Sequence, residues 1–405
     1  MGQSWVIRCT TCRHYKDWPF PKIAKTIVYL DQFVISNMVK AKEPFWVDLR
    51  TKLDTLAALQ LIVCPYSEIH RDESVPEFNL RDALKEMYRS LSGGVRFNGT
   101  HEVELSQLRT RLRLWLRLPE PKKSRPAWRE AFTSDPHAWT SDIQVYADLP
   151  VHEPWVDDLR SRKQALHSDL ESVRDNWQAE DHTFRDDVER KSLDYGRSLM
   201  EVYREVAGRL KQIEGIVPDE LKGIYRACVG PDGFDPGTPP GLQPGVLLVH
   251  SLAAEVHKVR PDEHDPLAVV GQFFQSDEAA NAPFQYITSR LWAAIAQKVR
   301  NPKGPRRAKP SDNNDVKAIA TFAPYCDAMV VDNEFREMAS QKNVDVPGKF
   351  GIRLFSLTER TRDEFIAYLD SLWGELSDAH REGLSLIYQH LAPVLPLIGR
   401  KGGSP

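Results

Sequence analysis

Short apolar runs that stop abruptly on a carboxylate constrain the fold of this chain more than any other feature. The most informative one closes residues 311–335, SDNNDVKAIATFAPYCDAMVVDNEF. A polar cluster with Asp312 and Asp315 leads into an apolar-periodic segment (Val316, Ile319, Ala320, Ala323), which predicts a helix. The run Ala328–Val331 then predicts a buried strand ending at Asp332. Lys25–Leu30, KTIVYL, repeats the pattern with Asp31 at its tip, and Leu59–Cys64 and Ile352–Leu357 supply two further short runs. Continuously apolar strands separated by helical patterns predict a parallel α/β sheet, whose chemistry sits at the carboxyl ends of the strands.

Any one of these acids has an ordinary reading as a helix cap or turn residue. Several together demand protons or cations, because close like charges cannot all remain ionised alone. The segment PYSEIHRDES adds Glu68 and Asp72, four apart and on one helical face, and also Glu73. Glu68 lies about one turn past the strand ending at Cys64, so turn counting favours it over Glu73. His70 has no partner His at helical spacing and reads as a hydrogen-bonded support or a surface group rather than a ligand.

Between about residues 76 and 309 the strand patterns largely cease. Leucines 105, 108, 112 and 116 mark one helix, residues 157–215 carry a long amphipathic pattern without proline, and 246–259 and 280–299 give two more. The last runs into NPKGPRRAKP, a basic loop with Lys303, Arg306, Arg307 and Lys309, suited to phosphates beside an acidic site. His250, His257 and His264 recur every seven residues, but Pro261 interrupts any shared helix.

With 405 residues and a formal charge of −3, the chain is long enough for two or three packed units, and its net charge makes no global case for a polyanion partner. No membrane span or signal peptide is evident, so cytoplasmic residence is the expectation. The five cysteines are too sparse for a disulfide framework. Cys9 and Cys12 form a lone CxxC after a short strand at Ile7 and before a DWPFP turn, and no second CxxC completes a zinc site.

Four carboxylates from distant sequence, at IVYLD, PYSEIH, NDVKAIA and DAMVVDNEF, resemble the motifs of PIN-domain nucleases over residues 25–73 and 312–357. The resemblance implies a PIN-like doubly wound parallel sheet, here interrupted by a large all-helical insertion. It implies metal-dependent endonuclease activity, hydrolysing phosphodiesters of RNA or, less often, DNA, as in a toxin or defence effector. Asp31, Glu68, Asp315 and Asp332 would be the catalytic and metal residues, binding Mg²⁺ or Mn²⁺, with Asp312 and Glu73 auxiliary. The expected division is a CxxC segment (1–23), a PIN-like first part (24–75), the insertion (76–309), a second part (310–375), and a C-terminal helix and tail (376–405). Two competing classes are a non-catalytic scaffold, in which the insertion binds a protein partner or a second copy, and another phosphate-processing hydrolase. The second usually needs a D-x-D motif at the first strand, which LDQF lacks.

Overall fold

Four of the predicted strands pair as one sheet. The computed structural model describes residues 4–8, 12, 14–74, 79–118, 127–139, 177, 181–214, 243–302 and 306–387. β1 (Ser4–Arg8) and β2 (Tyr15–Pro19) form an antiparallel hairpin. The DWPFP segment, expected as a turn, thus contributes Asp17, Trp18 and Pro19 to a strand; β2 belongs to a two-stranded sheet, whose edges tolerate proline. β3 (Thr26–Leu30), β4 (Ile62–Val63), β5 (Ala328–Val330) and β6 (Arg353–Phe355) form a wholly parallel sheet in the order β4-β3-β5-β6. β3 and β5 are buried along most of their length, as expected of interior strands covered on both faces.

Following the chain, α1 (Gln32–Lys40) and α2 (Pro44–Ala58) precede β4. α3 (Glu68–Ser74) and α4 (Arg81–Ser92) follow it, and α4 stops at Gly93, whose φ of 54° suits a residue without Cβ. Among the described residues, α5 (Thr100–Trp115), α6 (Phe184–Glu214), α7 (Pro244–Val259), α8 (Pro266–Phe274) and α9 (Asp277–Ala280) come next. α10 (Pro283–Arg300) and α11 (Ser311–Phe322) lead back to β5. α12 (Asn333–Ala339) and α13 (Val346–Phe350) lie between β5 and β6, and α14 (Arg362–Ser371) and α15 (Asp378–Ile387) end the described chain.

The chain divides into two units, 1–98 with 131–163 and 322–405, and 99–130 with 164–321. The expected boundary at residue 76 therefore falls later. The reason is packing: Leu84, Met87 and Leu91 of α4 join the core around the sheet with Leu49, Leu53 and Leu56 of α2. The second unit has its own core, centred on Leu108, Leu112, Val249, Leu252 and Phe273. There the buried Asp187 is held by the Arg300 guanidinium, so that the start of α6 is joined to the end of α10. The expected helical pattern over 157–176, the Pro/Gly-rich loop at 230–242, Cys9 and the C-terminal tail lie outside the described residues. No helix among the described residues is long and apolar enough to cross a membrane.

In the first unit Trp139 donates its indole N–H to the Pro21 carbonyl (2.6 Å), and its ring closes on α15 at Gly383. A Cβ at Gly383 would lie 2.1 Å from a carbon of that ring. Gly→Ala inside a helix ordinarily stabilises by about 1 kcal/mol. Here overpacking against a pinned ring should outweigh that gain, so Gly383→Ala is expected to lose about 1–3 kcal/mol in urea denaturation. A variant as stable as the wild type would show that the ring is free to move.

Candidate active site

The sheet reverses its winding between β3 and β5: the chain passes from β3 outward to β4, then returns to β3's other side as β5 and continues to β6. The carboxyl ends of β3 and β5 therefore flank a topological switch point, where open α/β sheets leave a crevice between diverging helices. Leu30 pairs with Val330, and the Asp31 N–H donates to the Val330 carbonyl (3.1 Å). Asp31 and Asp332, about three hundred residues apart in sequence, thereby stand at the tips of neighbouring strands, as the apolar runs ending in acids predict.

Each aspartate also begins a helix. Asp31 accepts from the Gln32 N–H (2.7 Å) at the head of α1, and Asp332 accepts from the Glu334 N–H (2.8 Å) at the head of α12. Capping accounts for both residue types locally. Asp31 departs from an ordinary cap in its electrostatics. Burial pushes its carboxyl up to about 7, the neighbouring Glu73 charge adds to the rise, the Gln32 N–H opposes it and Asp332 adds a smaller push.

The Glu73 charge raises the Asp31 carboxyl, and it also raises the Tyr29 and Tyr88 hydroxyls. Counting turns from Cys64 measures distance along α3 but not the direction in which the helix runs. Glu68 opens α3; the helix is tied to the end of β3 by His70 in its first turn and to Gln32 at the head of α1 by Ser74 in its last. His70 Nε2 donates to the Leu30 carbonyl (2.8 Å), and its Nδ1 accepts from the Ser67 N–H (3.1 Å). This bonding sets one neutral tautomer, and burial holds the imidazole down at about 4, so it carries no charge at neutral pH. Ser74 bonds to Gln32 Nε2 (3.1 Å), and the Tyr88 hydroxyl donates to Gln32 Oε1.

Rings extend this support. Tyr29 stacks on His70 (4.8 Å between centroids) and on Phe322 (5.4 Å), and His70 stacks on Tyr88 (5.1 Å). The role of His70 as a hydrogen-bonded support agrees with the first of its sequence readings. Gln32, Ser74 and Tyr88 carry no sequence signal, because α4 supplies Tyr88 through packing alone. On the other side, Ser356 after β6 donates to Asn333 Oδ1 (2.9 Å) beside Asp332.

The remaining candidates are placed differently. Asp312 is buried and bound by both guanidinium nitrogens of Arg306 (2.6 and 2.8 Å), and its Oδ2 also accepts from the Lys309 N–H (2.7 Å). The expected auxiliary ligand and one expected phosphate contact are thus partners in an ion pair that anchors the start of α11. Arg307 and Lys309 are exposed, and Lys303 lies outside the described residues. Asp315 is half-buried, one turn into α11, within the second unit.

Asp31, Asp332 and Glu73 offer hard oxygen donors of the type Mg²⁺ and Mn²⁺ prefer, and the raised Asp31 carboxyl marks a spot where positive charge would be stabilised. Among the described residues no three His, Cys, Asp or Glu side chains form a closed metal-holding group. No family model, curated protein or solved structure matches this chain.

The elevated Asp31 has a stability signature. The folded state holds its proton up to about pH 7, whereas the unfolded chain releases it near pH ~3.9. Its stabilising contribution is therefore full below the unfolded value and lost as pH rises to the folded one. Asp31→Asn keeps a capping oxygen without the charge. It should be on the order of 2 kcal/mol more stable than wild type at about pH 8, and equal to it near pH 4. Denaturation curves at the two pH values check this; equal stability at the higher pH would mean that Asp31 is an ordinary cap.

Proposed function

We propose that this protein is a metal-dependent nuclease of PIN-like type that hydrolyses phosphodiester bonds, with RNA as the preferred substrate. The observation that supports the reading is the pairing of Leu30 with Val330, so that Asp31 and Asp332 follow the carboxyl ends of neighbouring strands, with the Glu73 charge acting on Asp31. Asp31, Asp332 and Glu73 would hold a divalent cation through carboxylate oxygens. When bound, such a cation offsets charge on the scissile phosphate and lowers the pKa of a coordinated water. Asp31 gives up its proton as the cation binds, and His70 and Gln32 keep α3 and the tip of β3 in register so that Glu73 stays close. No protein nucleophile is required by this chemistry.

A scaffold reading is favoured by one observation: both aspartates serve as helix caps. The two readings separate in one set of measurements. On the nuclease reading, Mn²⁺ should promote cleavage of single-stranded RNA, chelator should abolish it, and Asp31→Asn or Asp332→Asn should lower turnover by about 10²-fold or more. Stability should be unaffected or improved by the first substitution. A protein that neither cleaves RNA or DNA nor binds Mn²⁺ would leave the scaffold reading in place.

The pH dependence follows from Asp31. Because Mn²⁺ competes with a proton held up to about pH 7, cation affinity should rise with pH toward that value and then level off, with proton release detectable by calorimetry below it. A flat affinity between about pH 5.5 and 8 would exclude Asp31 as a ligand. Glu73→Gln should lower the Asp31 pKa and weaken Mn²⁺ binding more than Glu68→Gln does. The reverse order would return the role to Glu68.

A further inference from the structure

The first unit contains a cavity of about 780 Å³, within the size range of small-molecule sites. Apolar residues of α2, β4 and α4 line it, among them Ala57, Ile62, Val63, Met87 and Leu91. Lys25 belongs to the same wall. It precedes β3, at the end of the strand opposite to Asp31, so the cavity is separate from the carboxylate site.

Lys25 is the unexpected member. It is only 8% exposed, and its ammonium donates to the Ala138 carbonyl (2.5 Å), which uses one of its three N–H donors. Among the described residues it forms no ion pair. Burial lowers its pKa to about 8, and Asp135, beyond pairing distance, opposes that shift only in part. The histidines nearby supply no negative charge. His137 Nδ1 accepts from the Lys25 backbone N–H (3.1 Å), and the His380 imidazole is held down by burial and, more weakly, by the Lys25 charge itself. A buried cation without a counter-charge destabilises a fold, and methionine of similar length would not. Such a residue in a cavity wall points to a ligand that brings the counter-charge.

We infer that this cavity binds a small organic acid, with its carboxylate on the Lys25 ammonium and its apolar part against α2, β4 and α4. A carboxylate accepts charge-assisted bonds from the ammonium donors that Ala138 leaves unused. The more exposed lining residues narrow the class. Arg50 pairs with Asp54 (3.5 Å), and Glu86 adds a second carboxylate, so acids outnumber cations there. That excess opposes a phosphate or nucleotide, with its several charges, more than a monoanion. A neutral apolar ligand would leave Lys25 without its counter-charge. The inference stands whether or not the protein cleaves nucleic acid.

Calorimetric titration of the full chain with hexanoate, benzoate and phenylacetate, in the presence of chelator, tests the inference directly. At about pH 7 at least one of them should bind saturably with a Kd of ~1 mM or tighter, and hexanol and inorganic phosphate at least ~10-fold more weakly. A carboxylate favours the charged form of Lys25, so binding at about pH 8.5 should take up a proton, and affinity should fall as pH rises through about 8. Proton uptake shows as a heat that depends on the ionisation enthalpy of the buffer. Lys25→Met should weaken binding by at least ~10-fold while leaving the melting temperature equal or higher. If that variant does not fold, proton uptake by the wild type decides. The inference is overturned if none of the three carboxylates binds, or if hexanol or phosphate binds as tightly. It is also overturned if Lys25→Met binds as wild type does, or if binding at the higher pH takes up no proton.

Discussion

Three parallel backbone pairings, Val28 with Ala328, Tyr29 with Met329 and Leu30 with Val330, hold the candidate site together. They join segments three hundred residues apart, and a slip of one residue would turn every side chain of β5 to the opposite face. That register is protected from both ends. At the amino end, the Ile27 N–H donates to Asp327 Oδ2 (2.7 Å), and Asp327 N–H donates to the Ile27 carbonyl (2.9 Å). At the carboxyl end, Asp31 N–H reaches the Val330 carbonyl. The site is thus built on short, buried, interior strands, where positional precision is highest.

Around this pairing the first unit places a carboxylate where burial opposes its charge. The cost is local and is supported by a rigid surround of stacked rings and a neutral histidine that joins α3 to the tip of β3. A cap alone needs none of this. An exposed aspartate would serve α1 equally well, and it would not be shifted to about 7 by desolvation and a second acid.

Asp312 and Asp187 show the opposite arrangement. Both are buried carboxylates, yet each is held by an arginine, Arg306 with two parallel bonds and Arg300 through its guanidinium. These pairs satisfy their own charge and leave no demand for a cation. Of the acids at the start of α11, the arginine thus claims Asp312 for structure, while Asp315 one turn on is outside that pair.

The amino-acid sequence determined the four parallel strands, the acids at two of their tips and the helical character of the second unit. Each follows from local pattern: β-branched apolar runs of strand length, carboxylates that stop them, and apolar positions at helical spacing. It also argued against a ligand role for His70, from the absence of a second histidine at ligand spacing, and left support and surface roles open. Only the tertiary structure decided that the Glu73 charge bears on Asp31, because α3 is tied to the end of β3 by His70 and to the head of α1 by Ser74. Likewise, the pairing of Arg306 with Asp312 and the assignment of α4 to the sheet's core depend on which surfaces meet. Pattern within a segment records which face is apolar; the partner that face packs against is settled by contacts between residues far apart in the chain.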